Sequence, residues 1–173
     1  MTRVTRALGL LLGIAALTRQ AQGQLGCSGA TCTIEISMPV TDVLRLSLSS
    51  GSVALGAPND ADYQLGYRDV SGVAVSVTAK SNRPITVQLG AVTPTFSYAG
   101  SMTNPNKPAS HLLWATSAAA LPTTTNHFGT TLTLLTQDAG STTRPLYFRT
   151  LWSFASDVPG IYGLTISLTL SAP

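Results

Sequence analysis

Charge is scarce in this sequence. Asp, Glu, Lys and Arg make up 10% of its 173 residues, aromatic residues 6%, and His and Cys occur twice each. Each shortage excludes something. Nucleophilic catalysis needs a Ser or Cys beside a base that a third group orients. His111 opens a strand-like stretch, His127 sits in a Thr-rich loop, and no G-x-S-x-G elbow is present. Work by paired carboxylates needs two acids facing each other across a cleft. The seven acids are scattered and mostly lie in turn-like stretches, where Asp serves backbone geometry. No cofactor motif is present, and the chain reads as non-catalytic. No long apolar run exists either. Leu8–Leu17 covers about 10 residues, too short to span a bilayer as a helix.

That run does have another use. Arg3 and Arg6 precede it, and Ala21-Gln22-Gly23 follows with the small-x-small form of a cleavage site. Residues 1–23 are therefore expected to be a secretory signal peptide, and residues 24–173 one domain without a membrane span. Removing Arg3, Arg6 and Arg19 leaves seven of the ten basic residues against the seven acids. The mature chain is formally neutral, so the basic pI of the whole sequence is no argument for nucleic acid or anionic membrane. A neutral surface rich in Ser and Thr is also weakly guarded against self-association.

Cys27 and Cys32 stand close together near the mature N-terminus. In an exported chain the expectation is a disulfide closing a small loop over Ser28-Gly29-Ala30-Thr31. A metal pair is the alternative, but with no His nearby the ligands are too few for zinc. A lipobox reading of Leu25-Gly26-Cys27 suffers from its distance from the apolar run.

The mature chain alternates at period two. Thr33–Val40 places Ile34, Ile36 and Met38 on one side, and Val43–Ser49 does the same with Leu44, Leu46 and Leu48. Val73–Ala79 sets Val73, Val75 and Val77 on one face, and Ile85–Leu89 is expected to pair back on it as a hairpin. Tyr63–Tyr67 reads as a weak strand, and no stretch is long enough for a stable helix. Pro145–Phe154 carries Leu146, Phe148, Trp152 and Phe154 on one face. Beyond the Asp157-Val158-Pro159-Gly160 turn signal, Tyr162, Leu164, Ile166, Leu168 and Leu170 form an unbroken apolar row. These last two stretches are expected to form an antiparallel hairpin. Eight to ten short strands, with turns every 8 to 12 residues, predict one all-β domain: an antiparallel β-sandwich, immunoglobulin-like in the broad sense.

The closing stretch LYFRTLWSFASDVPGIYGLTISLTLSAP, taken with the signal peptide and the early cysteine pair, resembles a group of uncharacterised secreted proteins of environmental bacteria. More loosely, its Pro-Gly-x-Tyr turn and alternating strand are similar to immunoglobulin-like surface modules and to fimbrial or spore-coat-like subunits. The chain departs from the fimbrial pattern in having no cysteine pair inside the sandwich and no aromatic near its last residues, Ser171-Ala172-Pro173. The resemblance implies a fold class and a location, secreted to the cell surface, the medium or the periplasm. It implies no activity.

Few candidate sites remain. Asn59, Asp60 and Asp62, with Asp69 as a further ligand, offer oxygens for Ca²⁺, but the spacing matches no EF-hand loop and Pro58-Asn59-Asp60 reads more simply as a turn. Trp114, Trp152, Tyr98 and Tyr147 are candidates for a sugar-stacking platform, and Tyr147 with Arg149 for an exposed contact. The arm over residues 24–40 is a candidate assembly element. Its strand, Ile34, Ile36 and Met38, is able to add to a neighbour's sheet instead of its own. The expected role is a structural or surface protein of the bacterial envelope, a filament subunit binding copies of itself. The alternative is a small module binding glycans or envelope proteins.

Overall fold

A computed structural model describes residues 36–173. Two units divide at Pro39 and Val40. Of the first, only Ile36–Pro39 is described. These residues are exposed and belong to no strand. Cys27, Cys32 and Ile34 lie outside the described residues.

The second unit is all-β with antiparallel sheets. Its strands are β1 (Leu44–Leu48), β2 (Tyr67–Asp69), β3 (Val75–Ser81), β4 (Ile85–Ala91), β5 (Ser97–Ala99), β6 (Leu112–Ala115), β7 (Leu132–Gln137), β8 (Gly140–Leu151), β9 (Ile161–Gly163) and β10 (Ile166–Ser171). One sheet runs β1-β3-β8-β2, with β6 also paired to β8. A second runs β10-β4-β7, and β5 pairs β9. Val75, Val77 and Ala79 of β3, and Ile85, Val87 and Leu89 of β4, are buried at every second position. With Leu112, Trp114, Leu146 and Phe148 they form one core fed by both sheets. β-Branched and aromatic side chains on alternating inward positions are what a pleated, half-buried strand favours.

Both expected hairpins are absent. β3 and β4 do not pair; the chain crosses from one sheet to the other at Ser81–Pro84. There the Ser81 hydroxyl accepts from the Arg83 amide and donates to the Arg83 carbonyl. β8 and β10 also lie in different sheets, β8 against β3, β2 and β6 and β10 against β4. The apolar row Tyr162–Leu170 does pack on the core, but it is split: Tyr162 lies in β9, paired with β5, and Ile166, Leu168 and Leu170 lie in β10, in the other sheet than β8. Phe154 leaves the inward row and is 66% exposed, stacked on Tyr63 at 4.7 Å.

A helix stands where no helix was expected. α1 (Asp60–Leu65) replaces the weak strand at Tyr63–Tyr67. Asn59 caps it: its side chain accepts from the Asp62 amide at 2.9 Å, and the Asp62 carboxylate accepts from the Asn59 amide at 2.9 Å. This reciprocal box satisfies two amides that a helix start leaves unpaired. Gly66 closes the helix in the left-handed region, at φ +79°. The calcium candidates are thus spent on the cap, with Asp60 accepting from Gln64 and Asp62 also from Arg68. The backbone bond from Asn59, foremost, holds the Asp62 carboxyl below its ordinary value of 3.8. Its contribution to the cap is therefore complete above pH 3.8 and is lost as pH falls through the lower folded value. An NMR titration of the Asn59 amide will have its midpoint below pH 3.8; a midpoint above 3.8 would refute the cap.

The Pro159-Gly160 turn is fixed by close packing. A Cβ on Gly160 would run into the Tyr98 ring and the Ala99 carbonyl, while the Tyr98 hydroxyl donates to the Pro159 carbonyl at 2.8 Å. Gly160→Ala will cost about 1–3 kcal/mol by prising β5 from β9. Urea unfolding measures this, and an unchanged midpoint would contradict it.

Candidate functional site

The two sheets are not closed against each other on one side. β1 pairs only with β3, and β10 only with β4, so among the described residues each leaves an outer edge without a neighbour. Between these edges lies a cleft of ≈ 790 Å³. Leu164, Ile166 and Leu168 form one wall; Leu48, Val53 and Leu55 stand on the other. Val75, Leu146 and Phe148 make a buried apolar floor. The walls differ from the rest of the core in one respect. Val53, Leu55, Leu164, Ile166 and Leu168 pack on the core but stay half-buried, and Leu48 is exposed. Elsewhere the inward rows of β3 and β4 are sealed. Along this side the period-two pattern has made an apolar face that nothing among the described residues covers.

Outside the cleft, beside the start of β1 and the end of β10, the Ser81–Pro84 turn holds the chain leading into β1. Asn82 accepts from the Val43 amide at 2.9 Å and donates to the Thr41 carbonyl at 2.8 Å. Arg83 pairs with Asp42 at 2.6 Å and donates to the Pro173 carbonyl just past β10. Ser50–Pro58 and Val158–Gly163 also line the cleft.

Lys107, which also lines the cleft, belongs to a buried ion pair. The Lys107 ammonium donates to Asp157 at 2.8 Å and to the Leu151 carbonyl at 2.6 Å, and lies 4.2 Å from the Trp152 ring centre. Both side chains are almost wholly buried. Asp157 also accepts from the Ser153 amide. Burial lowers the Lys107 pKa, against an opposing pull from Asp157. Ammonium and carboxylate each have further partners, so the pair pins the loop after β8 to the Lys107 segment and is committed to structure.

The other sequence candidates come out differently from expectation. Arg149 is buried, not exposed. It holds Asp69 through two bonds of 2.6 and 2.8 Å and stacks 3.8 Å from the centre of the Tyr67 ring. The hydrogen bonds to Asp69, first among the causes, raise its pKa. Asp69 is accordingly engaged away from Asn59, Asp60 and Asp62. Tyr147 is half-buried, in register with Ala115 of β6. The four aromatics form no platform: Trp114 is core, Trp152 lies under Lys107, and Tyr98 packs on Tyr162. His127 accepts from the Gly129 amide, and burial, foremost, lowers the His111 pKa. Of the candidate assembly strand, Ile36 and Met38 are 87% and 80% exposed.

Comparison with family models and with curated proteins found no match.

Proposed function

We propose that this protein is a non-catalytic structural subunit, secreted to the cell surface, that assembles by strand addition. The arm residues Ile34, Ile36 and Met38 of one copy fill the cleft of the next and pair with the free edge of β10. The observation that carries this reading is the half-buried apolar wall of the cleft beside an edge strand with no neighbour among the described residues. An added strand supplies what both lack, backbone partners and apolar side chains at every second residue. The arm fits in length and pattern. Thr33–Met38 has six residues, as does β10, and alternates apolar with polar side chains. A long, uncovered edge is otherwise a liability that folded proteins avoid.

Light scattering and negative-stain microscopy of the mature, oxidised protein test this. Filaments or large regular particles are expected. A clean monomer would refute it and turn attention to the alternative, a small glycan- or protein-binding module, sought as a saturable ligand of the monomer.

A further inference from the structure

We infer that the outer face of the β1-β3-β8 sheet, at Arg45 and Lys80, binds an acidic polysaccharide, a sugar polymer that carries carboxylate groups. Such binding is independent of strand addition, since one subunit holds the whole surface. The charges point to it first. Residues 36–173 contain seven Lys and Arg and six Asp. Four ion pairs, Arg68 with Asp62, Arg83 with Asp42, Lys107 with Asp157 and Arg149 with Asp69, use four of each. Among the described residues Arg45, Lys80 and Arg144 are left without an acidic partner, and all three lie on this one sheet. The two acids left over are Asp60 on α1 and Asp138 between β7 and β8.

Arg45 and Lys80 stand directly opposite each other across β1 and β3, and both are exposed. Like charges so placed destabilise a sheet. A local cost of this kind, with no partner to relieve it, is expected at functional positions. The surroundings are hydroxylic. By alternation the same face carries Ser47 opposite Thr78, Thr143 opposite Thr78 on the next strand, and Ser141 opposite Lys80. The Thr78 and Thr143 hydroxyls bond each other at 2.8 Å. Arg45, Ser47, Thr78 and Lys80 line a shallow hollow of ≈ 470 Å³ together with Leu44 and Leu46. Ser49 donates to the Ser76 carbonyl, so the odd positions of β1 bond to β3. Leu44 and Leu46 therefore turn their amides to the free edge, as two further donors beside the hollow. Arg144 pairs with the buried Val77 and so alternates to the other face.

The number of charges selects the ligand. Anionic membranes are gripped by clusters of about 4–8 Lys or Arg, and duplex DNA through about 6–10 phosphate contacts. Two cations fall short of both. A neutral sugar is held by stacking on an aromatic ring, and none of the side chains around Arg45 and Lys80 on this face is aromatic. A carboxylated polysaccharide needs what is present: cations for charge-assisted bonds to its carboxylates, and hydroxyls for the sugar hydroxyls between them.

Retention of the mature chain on immobilised polygalacturonate tests this, with dextran beads and phosphatidylglycerol vesicles as comparisons. We expect retention on polygalacturonate that is lost in about 1 M salt, where screening reaches ~3 Å, and none on dextran or vesicles. Lys80→Glu places opposite charges across the two strands. It is expected to weaken retention by more than about tenfold while raising the melting temperature by roughly 1–4 °C. Arg45→Gln and Lys80→Gln, which add no charge, are expected to weaken retention in the same direction with the chain still folded. Retention of Lys80→Glu or of both Gln variants equal to the parent's would overturn the inference. Equal retention on dextran, or binding to the vesicles alone, would overturn it too. A parent chain that fails to form filaments but is still retained would sink strand addition and leave this surface standing.

Discussion

Ile36→Asp combined with Met38→Asp will abolish assembly and leave the body of the chain folded. In the proposed joint, each of these side chains would pass from water into an apolar cleft. Burying an Ile or Met contributes about 1.5–3 kcal/mol, and a carboxylate in its place would have to be desolvated without a partner. The added backbone hydrogen bonds contribute only about 0.5–1.5 kcal/mol each. They cannot offset two charges in an apolar groove. In the free subunit both positions are exposed, where substitutions usually change stability by less than about 0.5 kcal/mol. The thermal melt of the monomer will therefore be unchanged while filaments disappear from light scattering. Ile36→Val with Met38→Leu will keep them. Wild-type filaments from the double-Asp chain would show that the arm is not the donated strand.

Lys107→Met will be the most damaging single change in the body. It leaves the Asp157 carboxylate buried, with the Ser153 amide as its remaining hydrogen-bond partner. Breaking a buried pair from one side costs about 3–5 kcal/mol. At about 2–4 °C per kcal/mol for a domain of this size, the melting temperature will fall by roughly 6–20 °C. Asp157→Ala strands the ammonium and will cost a similar amount. The double variant Lys107→Met/Asp157→Leu removes both charges and will lose less than the two single losses combined, because a buried pair replaced by apolar side chains is often neutral. A strictly additive double variant would refute the pairing. The loop from Ser153 to Val158 is where the damage will spread. Asp157 ties it through Ser153, while the Tyr162 hydroxyl donates to the Val158 carbonyl and accepts from its amide.

The alternation in the sequence reports which face a side chain takes, and that much was legible. Val75, Val77, Leu146 and Phe148 are buried, and the Tyr162–Leu170 row packs on the core. The all-β class follows from these rows. Alternation does not report which strand lies alongside. A hairpin partner and a strand across the core bury the same face, so β3 with β4 and β8 with β10 were paired wrongly from sequence. The helix α1 had a signal, Asn59 followed three residues later by Asp62, a short-range capping pair. Its six residues are too few for periodicity to speak. Arg149 had none, since its partner Asp69 is 80 residues away. The cleft was half legible. The row on β10 was plain, but its incomplete burial depends on what does not pack against it, which no residue spells out. The arm's apolar alternation is plain in the sequence, and its described portion forms no strand.

The direction of β10 bears on how such a filament carries load. In the proposed joint, a pull on an arm paired with β10 would be directed along that strand, not across it. The bonds of that joint are then strained together, in shear. Peeling would break them one after another at low force, whereas shear requires many to fail at once. A joint no longer than β10's six residues can therefore transmit tension from subunit to subunit without a covalent link between them.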